Sequence, residues 1–356
     1  MAKVTSQLGE ASTVPARSGS CGRSRSVVLL VSACCAVAAS IASVDATELK
    51  MELVNAAEFS GKQPAAHDIS PLSVRLQVLL ARVHFSPGEI DGKFGENAKK
   101  ALRAYAEAQQ LGSGDQVTPE IWQKLTVDNH AVLSTYQITT KDLAGPFLAK
   151  LPHKMEEMKH LGQLSYTSPR EELAEKFHMS EELLAALNPG QQFRQAGATI
   201  IVTDAAAANG PGKPDRKVNH VEIDKVRQTV KAFDASNHLL DFYPATVGSE
   251  EKPSPTGTLK VTTIDRNPTY HYNPAYHFKG VHAKAPFIIR PGPNNPVGTV
   301  WISLSAEGYG IHGTPDPGKV SKAASHGCVR LTNWDAQQLA MEVRKGTPVT
   351  FLDNSG

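Results

Sequence analysis

Residues 311–333 read IHGTPDPGKVSKAASHGCVRLTN. One cysteine, Cys328, stands with two histidines close in sequence: His312, sixteen positions before it, and His326, two before it. A thiol is a poor nucleophile until it loses its proton, and a neighbouring imidazole removes that proton near neutral pH. The imidazole needs an acceptor on its second nitrogen to hold one tautomer, and a backbone carbonyl serves. Gly327 allows the backbone to approach a substrate carbonyl closely. N–H groups around Gly327–Cys328 suit an oxyanion hole, with Ser325 in the same substrate-binding stretch. Arg330 is placed to hold a carboxylate or to brace the loop. Three other readings compete: a packed structural thiol, a zinc site made of His312, His326 and Cys328, and satisfied core histidines. Three mixed ligands without a CxxC pair make a poor zinc site, so no metal or other cofactor is expected.

Outward from this stretch the pattern is β. Residues 228–233, 239–247 and 258–263 alternate, and glycines and prolines punctuate the runs between them. Only Asn333–Val343 reads as a helix, with Trp334, Leu339, Ala340 and Val343 facing inward. Many short strands with Gly/Pro turns predict a mainly-β, sandwich- or barrel-like domain over residues 217–354. Short-range pattern leaves its topology open. Residues 267–287, NPTYHYNPAYHFKGVHAKAPF, carry aromatics that suit either a substrate cleft or an ordinary core.

Upstream, DAAAANGPGKP opens a linker over residues 204–216. Before it, residues 133–203 are expected to form a small α+β module. Ser168-Pro169-Arg170-Glu171 is a capping box with proline at the first helical position, Ser180 caps a second helix through Leu187, and Thr199–Val202 is a β-branched strand. An earlier strand falls near Tyr136, and the stretch from there to Tyr166 is longer than such a module needs. Residues 71–127 form an α-helical bundle of three short helices. Leu76, Leu79, Leu80 and Val83 mark the first, Ala98, Ala101, Leu102, Tyr105 and Ala108 the second, and Ile121, Trp122 and Leu125, behind Thr118-Pro119, the third. Residues 47–70 read as a linker.

Residues 1–46 stand apart. A basic stretch precedes the uncharged run VVLLVSACCAVAASIASV from Val27 to Val44, with small residues such as Ala46 after it. This reads as an export signal, with a single-span anchor or lipid attachment after Val31-Ser32-Ala33-Cys34 as alternatives. Each places the rest of the chain outside the cytoplasm, in periplasm or cell wall, and membrane contact is confined to this segment if it is uncleaved. The 356 residues hold 37 Lys+Arg against 35 Asp+Glu. The first 46 contain Lys3, Arg17, Arg23 and Arg25 against Glu10 and Asp45, so the remainder is neutral. Neutrality gives no electrostatic case for nucleic acid. Of four cysteines, Cys21, Cys34 and Cys35 lie in the first segment. The exported body keeps Cys328 alone and has no internal disulfide, which makes a lone thiol in an oxidising compartment the residue to explain.

The combination IHGT and SHGCVRLTN, with SPTGTLKV and RPGPNNPVGTVWISLSAEGYGIHGT upstream, resembles the YkuD-type L,D-transpeptidase catalytic domain from about Val218 to Asp353. GEIDGKFGENAKKALRAYAEAQQL resembles the peptidoglycan-binding type 1 domain, and the helix-helix-strand run ending at Val202 looks like a LysM glycan-binding module. The resemblance implies a multidomain cell-wall enzyme acting on peptidoglycan stem peptides and glycan. Cys328 would be the nucleophile, His312 the proton donor and acceptor, and the Gly313 carbonyl its orienting group. His326 would sit beside the thiol, Gly327 would leave room for the acyl group, and Arg330 would bind substrate or brace the loop. The implied reaction passes from a tetrapeptide, through a Cys328 thioester with release of D-Ala, to an amine that forms a 3→3 cross-link or belongs to an envelope lipoprotein. Rival readings are an L,D-carboxypeptidase or related hydrolase, and a non-catalytic wall-binding protein.

Overall fold

Ser70 and Thr118 each precede a proline, and each hydroxyl accepts an N–H from the first turn of the helix it starts: α2 (Pro71–Arg82) from Ser73 and α4 (Pro119–Leu125) from Ile121. Between them runs α3 (Glu96–Ala108), whose Ala98, Ala101, Leu102 and Tyr105 are buried as the spacing predicts. The computed structural model describes residues 49–205, 217–248, 253–276, 281–322 and 327–353. The expected export segment lies outside them. Among the described residues no helix is long and apolar enough to cross a membrane. The stretch read as a linker over 47–70 differs from expectation. Met51–Asn55 forms a short helix, α1, because Val54 reaches the core and Asn55 receives the N–H groups of Val132 and Leu133 on its side-chain oxygen.

The second unit pairs β1 (Leu133–Gln137) antiparallel with β2 (Thr199–Thr203). Helices α5 (Met155–Met158), α6 (Pro169–Lys176) and α7 (Glu181–Leu187) lie between them, the last two capped by Ser168 and Ser180. The bundle and this unit share one apolar core. Arg82, fully buried on the last turn of α2, stitches them together by donating to the carbonyls of Asp204 (2.8 Å), His130 (3.1 Å) and Ala131 (2.6 Å). A guanidinium is tolerated at such depth because nearly every N–H finds an acceptor.

The third unit is a nine-stranded mixed sheet. In spatial order it runs β5 (Leu239–Pro244), β4 (Thr229–Phe233), β3 (His220–Asp224), β13 (Pro348–Leu352), β7 (Gly257–Arg266), β10 (Val300–Leu304), β11 (Gly310–His312), β12 (Val329–Arg330) and β6 (Thr246–Val247). The outermost strands β5 and β6 are consecutive in the chain, separated by Ala245 alone, so one segment forms both edges and the sheet curls back on itself like a barrel. Helix α8 (Asn333–Glu342) packs on β10 and β11 and closes the core. Two short strands, β8 (Tyr270–Tyr272) and β9 (Phe287–Ile289), form a separate hairpin.

From Glu48 onward these parts make one compact unit. His84–Ser86 of the bundle lies along edge strand β5, with Ser86 N–H on the Phe242 carbonyl (2.9 Å) and Phe242 N–H on that of His84 (3.0 Å). That contact satisfies an edge which would otherwise be open to pairing. The segment between β1 and α6 is longer than the small module requires because it packs elsewhere. Its Leu148, Leu151, Met155, Met158, Leu161 and Leu164 form a core with Tyr270, Phe287 and Ile289 of the β8–β9 hairpin.

Candidate active site

The register of four adjacent strands places Asp265 of β7 opposite Trp301 of β10, Trp301 opposite His312 of β11, and His312 opposite Arg330 of β12. Directly paired residues share a face, so these four side chains form one row across the sheet. Cys328, two residues before Arg330, falls on the same side. All five line a cleft of about 1010 Å³. Its floor carries the Trp301 and His312 rings stacked at 5.3 Å.

His312 is buried, and its Nδ1 lies 2.7 Å from the Gly313 carbonyl. A carbonyl only accepts, so Nδ1 carries the hydrogen and Nε2 keeps a lone pair. Asn333 backs this arrangement. Its side-chain oxygen accepts the Thr299 N–H at 3.1 Å, and a Cβ on Gly313 would come within 2.2 Å of that oxygen. Any larger residue than glycine would displace Asn333. The Cys328 thiol reaches the Gly308 carbonyl at 3.6 Å. Gly327 adopts φ +99°, a left-handed conformation suited to glycine, and its carbonyl accepts the buried Ser254 hydroxyl at 2.7 Å. This bond fixes the plane of the peptide whose N–H belongs to Cys328.

The model of the YkuD L,D-transpeptidase catalytic domain family matches residues 218–351. The chain is 30% identical over 182 residues to YkuD of Bacillus subtilis strain 168, named as an L,D-transpeptidase, and the match covers 50% of this chain and 90% of that protein. The chain belongs to the L,D-transpeptidase family. Escherichia coli YbiS, also named as an L,D-transpeptidase, is 27% identical over 52% of this chain and 61% of its own length. A solved L,D-transpeptidase from Xylanimonas cellulosilytica superposes with a TM-score of 0.36 at 13% identity, over 83% of this chain and 100% of that one.

The electrostatics of the L,D-transpeptidase cleft keep its two central groups neutral at rest. Burial, reinforced by the Arg330 charge, depresses His312 to about 3, against a small opposing effect of the Gly313 hydrogen bond. Cys328 is part-exposed as a residue, yet enclosure of its sulfur pushes the thiol up, while a Gly310 backbone group and Arg330 pull it back down. Arg330 therefore favours a thiolate and disfavours an imidazolium. Both shifts disfavour a standing ion pair between the two groups.

Of the residues singled out from sequence, His312, Gly313, Gly327, Cys328 and Arg330 come together here. His326 and Ser325 lie outside the described residues. Of the aromatic stretch 267–287, Tyr270 lines the cleft, whereas Tyr272 is buried and stacks on Phe287 at 4.6 Å. Three contributors escaped the sequence reading. Trp301 left a signal, a large aromatic on the polar phase of a strand whose Val300, Ile302 and Leu304 point inward. Ser254 and Asn333 stand within SPTGTLKV and SHGCVRLTN, but their individual roles were not legible, because these depend on partners 73 and 34 residues away.

Behind Asn333 lies a carboxylate of the second unit. The Asn333 side-chain nitrogen donates to Oε1 of Glu175 at 2.7 Å, and the Tyr166 hydroxyl donates to its Oε2 at 3.0 Å. Burial raises Glu175 to about 7 against the pull of these bonds. Nearby His178, half-buried and stacked on the Trp334 ring at 5.1 Å, is depressed to about 4 by desolvation of its ring.

Proposed function

We propose that this chain is a peptidoglycan L,D-transpeptidase working through a thioester on Cys328. As the sulfur attacks the carbonyl of the third residue of a tetrapeptide stem, its proton passes to Nε2 of His312. The Gly313 carbonyl stabilises the resulting imidazolium, and backbone N–H groups at Gly327–Cys328 receive the negative charge on the substrate oxygen. Collapse expels D-Ala, which takes the proton from His312. The amine of a second stem then attacks the thioester, gives its proton to His312 and displaces the sulfur, which recovers a proton from the imidazolium. The product is a 3→3 cross-link, and a lysine of an envelope lipoprotein is a second acceptor of the same chemistry.

The observation that carries this reading is the single tautomer of His312, its Nε2 lone pair left for proton transfer in the cleft that holds Cys328. Arg330 and Ser254 serve as positioning residues for the nucleophile loop, and His326 and Ser325 as its flank. The helical bundle and the α+β unit are assigned to binding of peptidoglycan, in a protein exported to the periplasm or wall. The test is separation of products after incubation with a disaccharide-tetrapeptide. A dimer linked 3→3, lost in Cys328→Ala and His312→Asn, supports transpeptidation. Free tripeptide alone assigns the chain to carboxypeptidases, and no product overturns the enzyme reading.

A further inference from the structure

The segment between β1 and α6 does more than fill space. Its far end is locked to the catalytic domain by backbone bonds, Leu164 N–H on the Pro291 carbonyl and Asn294 N–H on that of Leu164, both at 2.9 Å. Asn294 adds side-chain bonds to the Ser165 carbonyl (2.9 Å) and to Glu171 (2.7 Å). Gly292 passes so close that a Cβ would lie 2.1 Å from the Leu164 oxygen. At its other end Glu156 accepts the His282 N–H at 2.6 Å, and Lys159 covers the Phe287 ring at 5.7 Å. Immediately before Glu156, His153, Lys154 and Met155 form one wall of the cleft that contains His312 and Cys328.

We propose that this wall is part of the substrate site and that Lys154 binds a carboxylate of the stem peptide. Lys154 is exposed at the rim, and among the described residues no carboxylate pairs with it. Arg266 lines the same cleft. A peptide carrying several free carboxylates meets there two cations that pair with no carboxylate among the described residues, although Asp265 and Glu307 line the same cleft, while Met155, half sunk in the hairpin core, gives the wall an apolar backing. The cation stands on a segment held upstream by the Leu148 N–H on the Tyr166 carbonyl at 2.9 Å and downstream by Glu156, so less freedom is lost on binding than for a lysine on a loose loop. The second unit would thereby contribute a specificity element directly to catalysis. This rests on peptidoglycan stems being the substrate.

The test is a titration of the full chain carrying Cys328→Ala with disaccharide-tetrapeptide, which reads binding without turnover. Lys154→Ala is expected to raise Kd about 3- to 10-fold, as for a partly exposed charge-assisted contact, and Lys154→Glu to raise it further. Lys154→Arg should stay within about twofold of the parent, and Lys150→Ala, on the same segment but off the cleft, should change nothing. With a tetrapeptide whose carboxylates are amidated in turn, one amide should erase the difference between parent and Lys154→Ala. A Kd indifferent to Lys154, or a Lys154→Glu protein that binds as well as its parent, would overturn the proposal. Failure of the thioester chemistry reads out separately, as a wild-type chain that binds the tetrapeptide through Lys154 without being acylated.

Discussion

Replacing Asn333 by alanine should reveal how the second unit supports the setting of His312. The substitution removes the acceptor of the Thr299 N–H and the donor to Glu175, both part-buried bonds. Each buried group left without a partner costs about 1–3 kcal/mol. The two losses differ in pH dependence. Thr299 is affected equally at every pH, but Glu175, held near 7, escapes by keeping its proton below neutrality and is left as a poorly compensated anion above it. The expected loss is therefore about 2 kcal/mol at pH 5.5 and about 3–4 kcal/mol at pH 8. At ~2–4 °C per kcal/mol, thermal unfolding should fall by several degrees at the lower pH and by about ten at the higher. Adding Glu175→Gln should remove the difference between the two pH values. Turnover should fall as well, because Asn333 forms the wall against which Gly313 presents its carbonyl to His312. Equal destabilisation at both pH values, or a difference that survives Glu175→Gln, would refute the coupling.

The wild-type chain should lose stability as pH rises. Burial raises Glu89, Glu175 and Asp335 to about 7, so the folded state keeps protons that the unfolded chain has already released, and stability drains away until these groups ionise. The depressed His178 and His312 act in the opposite sense, but only up to the ordinary imidazole range, about 6.5. Thermal unfolding between pH 6 and 8 should show a falling Tm, and a rising one would contradict these assignments. Ser254→Ala removes the hydrogen bond to the Gly327 carbonyl and is expected to lower kcat about tenfold while costing only about 1 kcal/mol of stability. Gly292→Ala drives a methyl into the Leu164 carbonyl, and hydrogen exchange should show residues 145–165 opening well before the sheet.

Local chemistry was readable in the sequence. Thr118, Ser168 and Ser180 all cap the helices their positions predict, because capping involves neighbours within three residues. That His312, Gly313 and Cys328 belong to one site was legible because the three lie close in sequence and each residue type suits a stated chemical need. The row from Asp265 to Arg330 was not, since strand register is set by pairing across distant segments. Closure of the sheet rests on Ala245 lying between two strands that pair at opposite ends, which alternation over 239–247 does not disclose. The bond from Asn333 to Glu175 spans 158 residues and two units, and neither residue type announces it. Met51–Asn55 was hidden for a different reason: a five-residue helix carries too little periodicity to stand out from a polar stretch.

The most direct measurement is the intact mass of the protein, with peptide mapping, after brief exposure to a disaccharide-tetrapeptide. The expected result is an adduct equal to the substrate minus D-Ala, carried on Cys328 and absent from Cys328→Ala. Product formation with no adduct on Cys328, or an unchanged adduct in the alanine variant, would contradict thioester catalysis at this site.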